Sequence, residues 1–167
     1  MMRVTRDFIK ARQVHCHYLV EMKKVKPIGG GDSNKCYENA HAHKDRAKKI
    51  RMVFGWIVCP HDTKTNSTEI IQHCWNATDD GNHFDATFPP NASIGEYVID
   101  MDLFDYCHKN DSILRSHLAS SLLYSDGIYQ AADEGTDGQM IFRSISSLST
   151  AELYKSKLIE PHKLLAS

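Results

Sequence analysis

Three short segments of the chain contain side chains whose types and order suit acyl transfer. In chain order they supply a thiol, an imidazole and a carboxylate, from Cys36, His73 and Asp85. A cysteine thiolate is a strong nucleophile, a histidine can take the thiol proton, and a carboxylate can orient the imidazole. We therefore predict that these three residues form a catalytic triad that attacks a carbonyl carbon.

Cys36 is expected in the first turn of a helix. The favourable N-cap residues Asp32, Ser33 and Asn34 precede it, and the helix is predicted to run to about Lys48. Unpaired N–H groups at a helix start favour a thiolate, and the N–H of Cys36 itself is placed to stabilise a tetrahedral oxyanion. A second oxyanion donor would be needed, and the candidates are Gln13, Asn34, Asn39 and the backbone near Trp56.

His73 and Asp85 are predicted to lie on neighbouring strands. The apolar and β-branched residues favour strands over residues 52–59, 68–78 and 83–88, and the polar turn between the last two predicts an antiparallel meander. Because strand side chains alternate between faces, His73 is expected on an apolar face of its strand. Asp85 could then accept a hydrogen bond from one ring nitrogen and leave the other for the cysteine.

The remaining elements are predicted from periodicity and capping. An apolar stripe predicts a first helix from about Thr5 to Lys24. Beyond the meander we predict a strand passing into a helix over residues 97–109 and a helix over residues 112–124. A polar loop that could serve as a lid is expected over residues 125–139. Ser149 should cap a final short helix. These elements predict a single α+β domain over residues 1–167, with N-terminal helices packed on an antiparallel sheet and further helices at the C-terminus.

The overall composition places limits on partners and location. A net charge of −1 gives no reason to expect a nucleic acid or an anionic membrane as partner. The N-terminus lacks an apolar signal segment, and no run of about 18 apolar residues exists, so we expect a cytoplasmic protein without a membrane span. The odd number of cysteines, 5, then indicates free thiols. The sequence does not indicate an oligomeric state.

The three motifs together resemble the core of transglutaminase-like proteins, within the wider papain-like cysteine peptidase group. In that family a cysteine at a helix start is followed by His-Ala-Trp on one strand and Asp-Pro-Thr on the next. Here the strand motifs read His73-Cys74-Trp75 and Asp85-Ala86-Thr87. The resemblance covers residues 33–88, and the chain departs from it by a short spacing of 37 positions (73 − 36) between cysteine and histidine and by Ala86 in place of proline.

Two weaker similarities accompany this resemblance. The sequence Cys36-Tyr37-Glu38-Asn39 after a glycine run is similar to arylamine N-acetyltransferases, which use the same triad order but are longer and need a coenzyme A pocket. Small proteins of bacterial viruses are similar around the same cysteine motif and Gly55-Trp56. The family-level implication remains a papain-like or transglutaminase-like core.

The resemblance implies a thiol-dependent hydrolase or acyltransferase that forms a thioester and needs no cofactor. Its substrate would be a peptide, a protein side chain or a small amide, and the family contains both hydrolysing and cross-linking members. The residues that we assign to substrate binding are candidate oxyanion donors and pocket walls: Asn34, Asn39, Trp56 and Trp75.

Two other functional classes stay open. Ten histidines, some beside cysteines as in His15-Cys16-His17 and Cys59-Pro60-His61, could hold zinc. No Cys-x-x-Cys or His-Glu-x-x-His spacing occurs, so we assign no metal ligands. The second class is a non-catalytic binding module on the same fold, against which the complete triad argues.

Overall fold

The computed structural model describes residues 1–33, 35–103, 105, 121–134 and 140–153. Within them lie the helices α1 (Arg3–Gln13), α2 (Cys36–Ala42) and α3 (Thr150–Leu153). The strands are β1 (Glu21–Lys23), β2 (Val25–Pro27), β3 (Ile50–Val58), β4 (Thr68–Thr78), β5 (His83–Asp85), β6 (Glu96–Ile99), β7 (Ser121–Ser125), β8 (Ile128–Glu134) and β9 (Met140–Ile145). The described structure is therefore a mixture of helix and sheet in which sheet predominates.

The described strands form one sheet with β3 and β4 at its centre. Its order is β1-β6-β3-β4-β7-β8-β9, while β5 also pairs with β4 and β2 pairs with β5. The β2–β5 pairing is parallel and the others are antiparallel. The short β2 strand brings the N-terminal segment beside β5, immediately before the loop that leads to α2.

One edge of β4 is divided between two partners. It pairs with β7 through residues 68–71 and with β5 through residues 76–77, so residues 72–75 lie between the two pairings. Helix α2 packs against β4, and the side-chain Nδ2 of Asn76 donates to the carbonyl oxygen of Ala40 at 2.9 Å. This edge of the central strand is where the sheet and the cysteine-bearing helix meet.

Alternation along β3 and β4 divides the core between the two faces of the sheet. One cluster contains residues of both strands together with residues of α1 and α2: Phe8, Cys36, Ala40, Phe54, Trp56, Ile70 and Cys74. The other cluster contains the alternate positions of these strands and a tyrosine of β6: Val53, Ile57, Trp75, Ala77 and Tyr97. His73 alternates with Cys74 and thus shares the face of Trp75.

A fully buried ion pair joins the first helix to the sheet and to the C-terminal segment. Arg12 Nε donates to Asp100 Oδ2 at 2.6 Å, and both side chains are 0% exposed. The same guanidinium donates to the carbonyl oxygen of Leu148 and to Thr150 Oγ1, each at 2.7 Å. Trp56 Nε1 donates to Asp100 Oδ2 at 2.9 Å. These bonds satisfy both charges in the absence of solvent, as burial requires.

The prediction of a first helix reaching Lys24 is wrong. Helix α1 ends at Gln13, and two of the apolar residues beyond it, Val14 and Leu19, are 79% and 65% exposed. After α1 the chain turns, and side-chain hydrogen bonds stabilise the turn. Gln13 Oε1 accepts the N–H of Val20 at 2.6 Å, and the Asp102 carboxylate accepts the N–H groups of His17 and Tyr18. Spacing alone could not show these competing hydrogen bonds.

The second helix is shorter than predicted and is capped differently. It ends at Ala42 instead of about Lys48, and its N-cap is Lys35, which makes no side-chain capping bond. The Asp45 carboxylate accepts the N–H groups of Ala47 and Lys48 at 2.9 and 3.1 Å, which forms an exposed turn where the helix was expected to continue.

The C-terminal half departs most from the predictions. Residues 121–125 form β7 instead of helix, and β8 occupies part of the predicted loop 125–139. Asp126 and Gly127 have φ angles of 50° and 83°, as the two-residue turn of a β-hairpin requires. Residues 106–120 and 135–139 lie outside the described residues.

Several predictions are confirmed. Strand β4 has its predicted bounds, β3 and β5 differ only at their ends, and Gly81 has a φ of 85° in the turn between β4 and β5. Ser149 Oγ accepts the N–H of Glu152 at 3.1 Å, as a capping residue of α3. No helix among the described residues is long and apolar enough to cross a membrane.

We expect Asp100→Asn to lower the free energy of unfolding by about 3 kcal/mol, because it leaves the buried Arg12 guanidinium without its counter-charge. Urea unfolding followed by tryptophan fluorescence measures this change. The control is Asp7→Asn, which breaks an exposed ion pair with Arg3 and should cost less than about 1 kcal/mol. Equal urea midpoints for Asp100→Asn and the parent chain would contradict this account of the core.

Candidate active site

The proposed triad residues are brought together at the divided edge of β4. Cys36 begins α2, His73 lies in the part of β4 between its two edge partners, and Asp85 ends β5. All three are buried, with exposures of 4%, 3% and 1%. The sequence-predicted nucleophile, base and orienter therefore converge in the folded chain.

His73 and Asp85 are directly hydrogen-bonded. His73 Nε2 lies 2.7 Å from Asp85 Oδ2, and an ionised carboxylate only accepts, so Nε2 carries the proton and donates. The Cys36 side chain is also close enough to His73 to contribute to the raised pKa of the imidazole. Since Nε2 is directed to Asp85, Nδ1 is the nitrogen available to the sulfur.

The surroundings of His73 favour a charged imidazole. Burial lowers the pKa of His73, but the interactions with Asp85 and Cys36 outweigh burial and raise the pKa to about 9. For Asp85, burial raises the pKa, while the hydrogen bond from His73 and those from Thr87 and Tyr97 hold it below the usual value. An imidazolium flanked by a carboxylate and a sulfur is therefore the expected state at neutral pH.

The Asp85 carboxylate is held at both oxygens. The backbone N–H of Thr87 donates to Oδ1 at 2.8 Å, a local turn within the Asp-x-Thr motif. At Oδ2, Tyr97 donates its hydroxyl at 2.8 Å beside the bond from His73. Thr87 of the motif thus supplies a backbone donor to Asp85. Tyr97 was not identified from the sequence.

Aromatic rings surround the imidazole. The centroid of His73 lies 6.3 Å from that of Trp75 with the rings stacked, 5.3 Å from Phe88 and 6.0 Å from Tyr97. Gly55 pairs with His73 across β3 and β4, and a Cβ at Gly55 would lie 2.0 Å from the carbonyl oxygen of Val98 and 2.8 Å from Cη2 of Trp75. Glycine at this position therefore leaves space for the indole that stacks on the imidazole.

Asn39 connects the cysteine helix to the aspartate motif. Its Oδ1 accepts the N–H of Asp32 at 3.0 Å, and its Nδ2 donates to the carbonyl oxygen of Asp32 at 2.8 Å and to Thr87 Oγ1 at 3.2 Å. Both amide hydrogens are thus engaged within the protein. These bonds join the start of α2 to the segment after β5, and a role of Asn39 in substrate binding stays a prediction.

The other predicted substrate-binding residues lie in different surroundings. Trp56 is 1% exposed in the core cluster that also contains Phe8 and Cys36, and its indole Nε1 donates to Asp100 Oδ2. Trp75 does stack on His73, and its Nε1 donates to His83 Nδ1 at 2.9 Å. Asn34 lies outside the described residues. Gln13, a candidate oxyanion donor, is bonded to Val20 and Tyr18.

Two other cysteines lie in surroundings that disfavour a thiolate. Burial, followed by the charge of Asp100, raises the pKa of Cys16 to about 12. Burial and the charge of Glu69 raise the pKa of Cys59 to about 11. Both thiols are therefore held in the protonated, weakly nucleophilic form.

One group of three possible metal ligands occurs among the described residues, formed by Cys16, Asp100 and Asp102. Its carboxylates are already engaged: Asp100 binds the guanidinium of Arg12, and Asp102 accepts the N–H groups of His17 and Tyr18 at 2.9 Å each. The three residues therefore belong to the hydrogen-bonded network around the C-terminal end of α1.

Two clefts on the surface are lined by residues other than the triad. One of about 650 Å³ is lined by residues of β4, β7, β8 and β9, among them Glu69, Leu123, Gln130 and Phe142. A smaller one of about 320 Å³ lies on the exposed side of α2, against Tyr37, Glu38, His41 and Ala42. Cys36 itself is 4% exposed, so little of its surface is open to a substrate in this structure.

Comparison of the chain with known protein families, with curated proteins and with solved structures finds no match. The function of this protein is therefore inferred from the geometry of the site and from the motif resemblance.

We predict that the folded protein loses stability as the pH rises from about 6.5 to about 9, because the imidazolium of His73 is stabilised by its partners in the folded state and not in the unfolded chain. This contribution is fully present below the unfolded pKa and disappears above the folded one. Urea unfolding at the two ends of this range should show a decrease of roughly 2–3 kcal/mol that is absent in His73→Gln.

The exposed His61 supplies the control for this measurement, since His61→Gln should retain the pH dependence of the parent chain. If His73→Gln and the parent chain lost equal stability over this range, the charged imidazole inferred for the site would be wrong.

Proposed function

We propose that this protein is a thiol-dependent hydrolase or acyltransferase that acts on an amide or peptide bond through Cys36, His73 and Asp85. The observation that carries the proposal is the convergence of these three buried side chains: His73 Nε2 lies 2.7 Å from Asp85 Oδ2, and Cys36 is close enough to contribute to the raised pKa of His73. The resemblance of the same residues to the transglutaminase-like and papain-like cores supports it.

The first half of the proposed reaction forms a thioester. The Cys36 thiolate attacks the carbonyl carbon, and the carbonyl π electrons move to the oxygen, which becomes a tetrahedral oxyanion. When the oxyanion collapses, the carbon–nitrogen bond breaks and His73 gives its proton to the leaving amine. Asp85 keeps the imidazole in the tautomer and orientation that this transfer requires.

The second half releases the acyl group. A water or a primary amine attacks the thioester carbon while neutral His73 takes its proton, and the carbon–sulfur bond breaks to regenerate the Cys36 thiolate and the imidazolium. Water yields a carboxylic acid, and an amine yields a new amide. The same residues serve both outcomes, so the acceptor determines whether the enzyme is a hydrolase or a transferase.

We expect p-nitrophenyl acetate to produce a burst of p-nitrophenolate and an acetyl group on Cys36, detected by mass spectrometry of the digested protein. Cys36→Ser should abolish the burst, and His73→Ala should slow acylation at least about 100-fold because it removes the imidazolium that stabilises the attacking thiolate. Cys59→Ser, which changes a partly buried thiol outside the triad, should leave the burst unchanged.

Acetylation spread evenly over several thiols, or a burst unaffected by His73→Ala, would contradict the proposed triad and favour a non-catalytic role. Adding methylamine to the same assay distinguishes the two enzyme classes: faster release with formation of N-methylacetamide identifies an acyltransferase, whereas acetate as the product identifies a hydrolase.

A further inference from the structure

Tyr97 is bound to the same carboxylate oxygen as the histidine of the triad. Its hydroxyl lies 2.8 Å from Asp85 Oδ2, and His73 Nε2 lies 2.7 Å from that atom. Tyr97 comes from β6, which pairs with β3 and not with β4 or β5, so it belongs to none of the three sequence motifs. It reaches the site across the face of the sheet.

We propose that Tyr97 is a positioning residue of this site, which fixes the Asp85 carboxylate and adjusts the basicity of His73 through the shared oxygen. The proposal rests on the proposed function, because it concerns how strongly the base of that reaction holds its proton. It extends the Cys–His–Asp triad by a fourth side chain that does not touch the substrate.

The direction of the Tyr97 hydrogen bond follows from the chemistry of its partners. An ionised carboxylate accepts and does not donate, so the hydroxyl must be the donor. Tyr97 is 5% exposed, and burial together with the charge of Asp85 raises its pKa above the ordinary value for tyrosine. The hydroxyl therefore stays protonated, and remains a donor, throughout the pH range in which the proposed reaction would operate.

The shared oxygen couples Tyr97 to His73. A hydroxyl donating to Oδ2 withdraws part of the negative charge that would otherwise stabilise the imidazolium. Removing the hydroxyl should thus strengthen the His73–Asp85 bond and make the imidazolium a weaker acid. It should also remove one donor from Oδ2 of Asp85. The carboxylate can then rotate more freely, and it holds the imidazole in one orientation less firmly.

The surroundings of His73 allow the hydroxyl to be tested alone. The titratable side chains that face the imidazole among the described residues are Asp85 of β5, Cys36 of α2 and Tyr97 of β6. The Tyr97 ring also packs edge-on against Trp75 at 5.4 Å. A phenylalanine at position 97 preserves this ring packing and removes only the hydrogen bond.

The test is the pH dependence of Cys36 acylation by p-nitrophenyl acetate in Tyr97→Phe. The alkaline limb of the profile, where His73 must still hold its proton, should move up by about 0.5–1 pH unit. The rate at neutral pH should fall roughly 5- to 20-fold. Tyr129→Phe, a change of a partly buried tyrosine on β8, serves as the matched control and should alter neither quantity.

A second variant keeps the test valid if Tyr97→Phe does not fold. Replacing Tyr97 with 3-fluorotyrosine retains the ring and hydroxyl but makes the hydroxyl a stronger donor, so the alkaline limb should move in the opposite direction, to lower pH. Opposite shifts in the two variants would support the positioning role, since a purely structural tyrosine would move neither limb.

The outcomes separate this inference from the proposed function. Normal acylation of Cys36 with an unchanged pH profile in both variants would overturn the role of Tyr97 and leave the triad intact. If the parent chain acylates no cysteine, the proposed function fails. The role of Tyr97 is then tested separately, by following the pH titration of the His73 ring by NMR. An unchanged His73 titration in Tyr97→Phe would overturn it, and an upward shift would support it.

Discussion

The arrangement of the site depends on a carboxylate that is ionised and removed from water. A buried carboxylate without donors would cost several kcal/mol, so its surroundings must supply hydrogen bonds from fixed directions. Asp85 receives them from His73 on β4, Tyr97 on β6 and the backbone of Thr87 directly after β5. Three separate segments of the chain are thereby held in one relation to each other. The orientation of the imidazole toward Cys36 follows from that constraint.

Asp100 fulfils a similar requirement in the other part of the core. Its donors are the Arg12 guanidinium, the Trp56 indole and the backbone N–H of Leu103, so that α1, β3 and the C-terminal end of β6 are joined. One carboxylate thus stabilises the scaffold, and the other organises the candidate active site. The difference lies in the partner: a guanidinium keeps its proton at any ordinary pH, whereas an imidazole can exchange one.

The sequence predicted the parts of the site that depend on local pattern. The bounds of β4 and the turn after it followed from β-branched residues and a polar turn, and these placed His73 near Asp85. Helix α1 was predicted too long because side-chain hydrogen bonds from Gln13 and Asp102 compete with helix continuation. The Asp126–Gly127 turn was a readable hairpin signal, but the polar composition around it favoured a loop.

Contacts between distant segments could not be predicted. Tyr97 and Asn39 are assigned to the site by hydrogen bonds that join β6 to β5 and α2 to the segment after β5. No spacing in the sequence specifies such pairs, because they depend on the register of strands and the packing of α2 on β4. Trp56 illustrates the same limit in reverse: its residue type suited a pocket wall, whereas its indole lies on the opposite face, bonded to Asp100.

The central claim is that Cys36 and His73 act as one coupled pair. Nitrogen-15 NMR of the His73 ring tests it most directly, in the parent chain and in Cys36→Ala. We predict an imidazolium that persists toward a pKa of about 9 in the parent chain and titrates at lower pH once the sulfur is removed. Identical titrations in the two proteins, or a neutral His73 ring at pH 7 in the parent chain, would contradict the account.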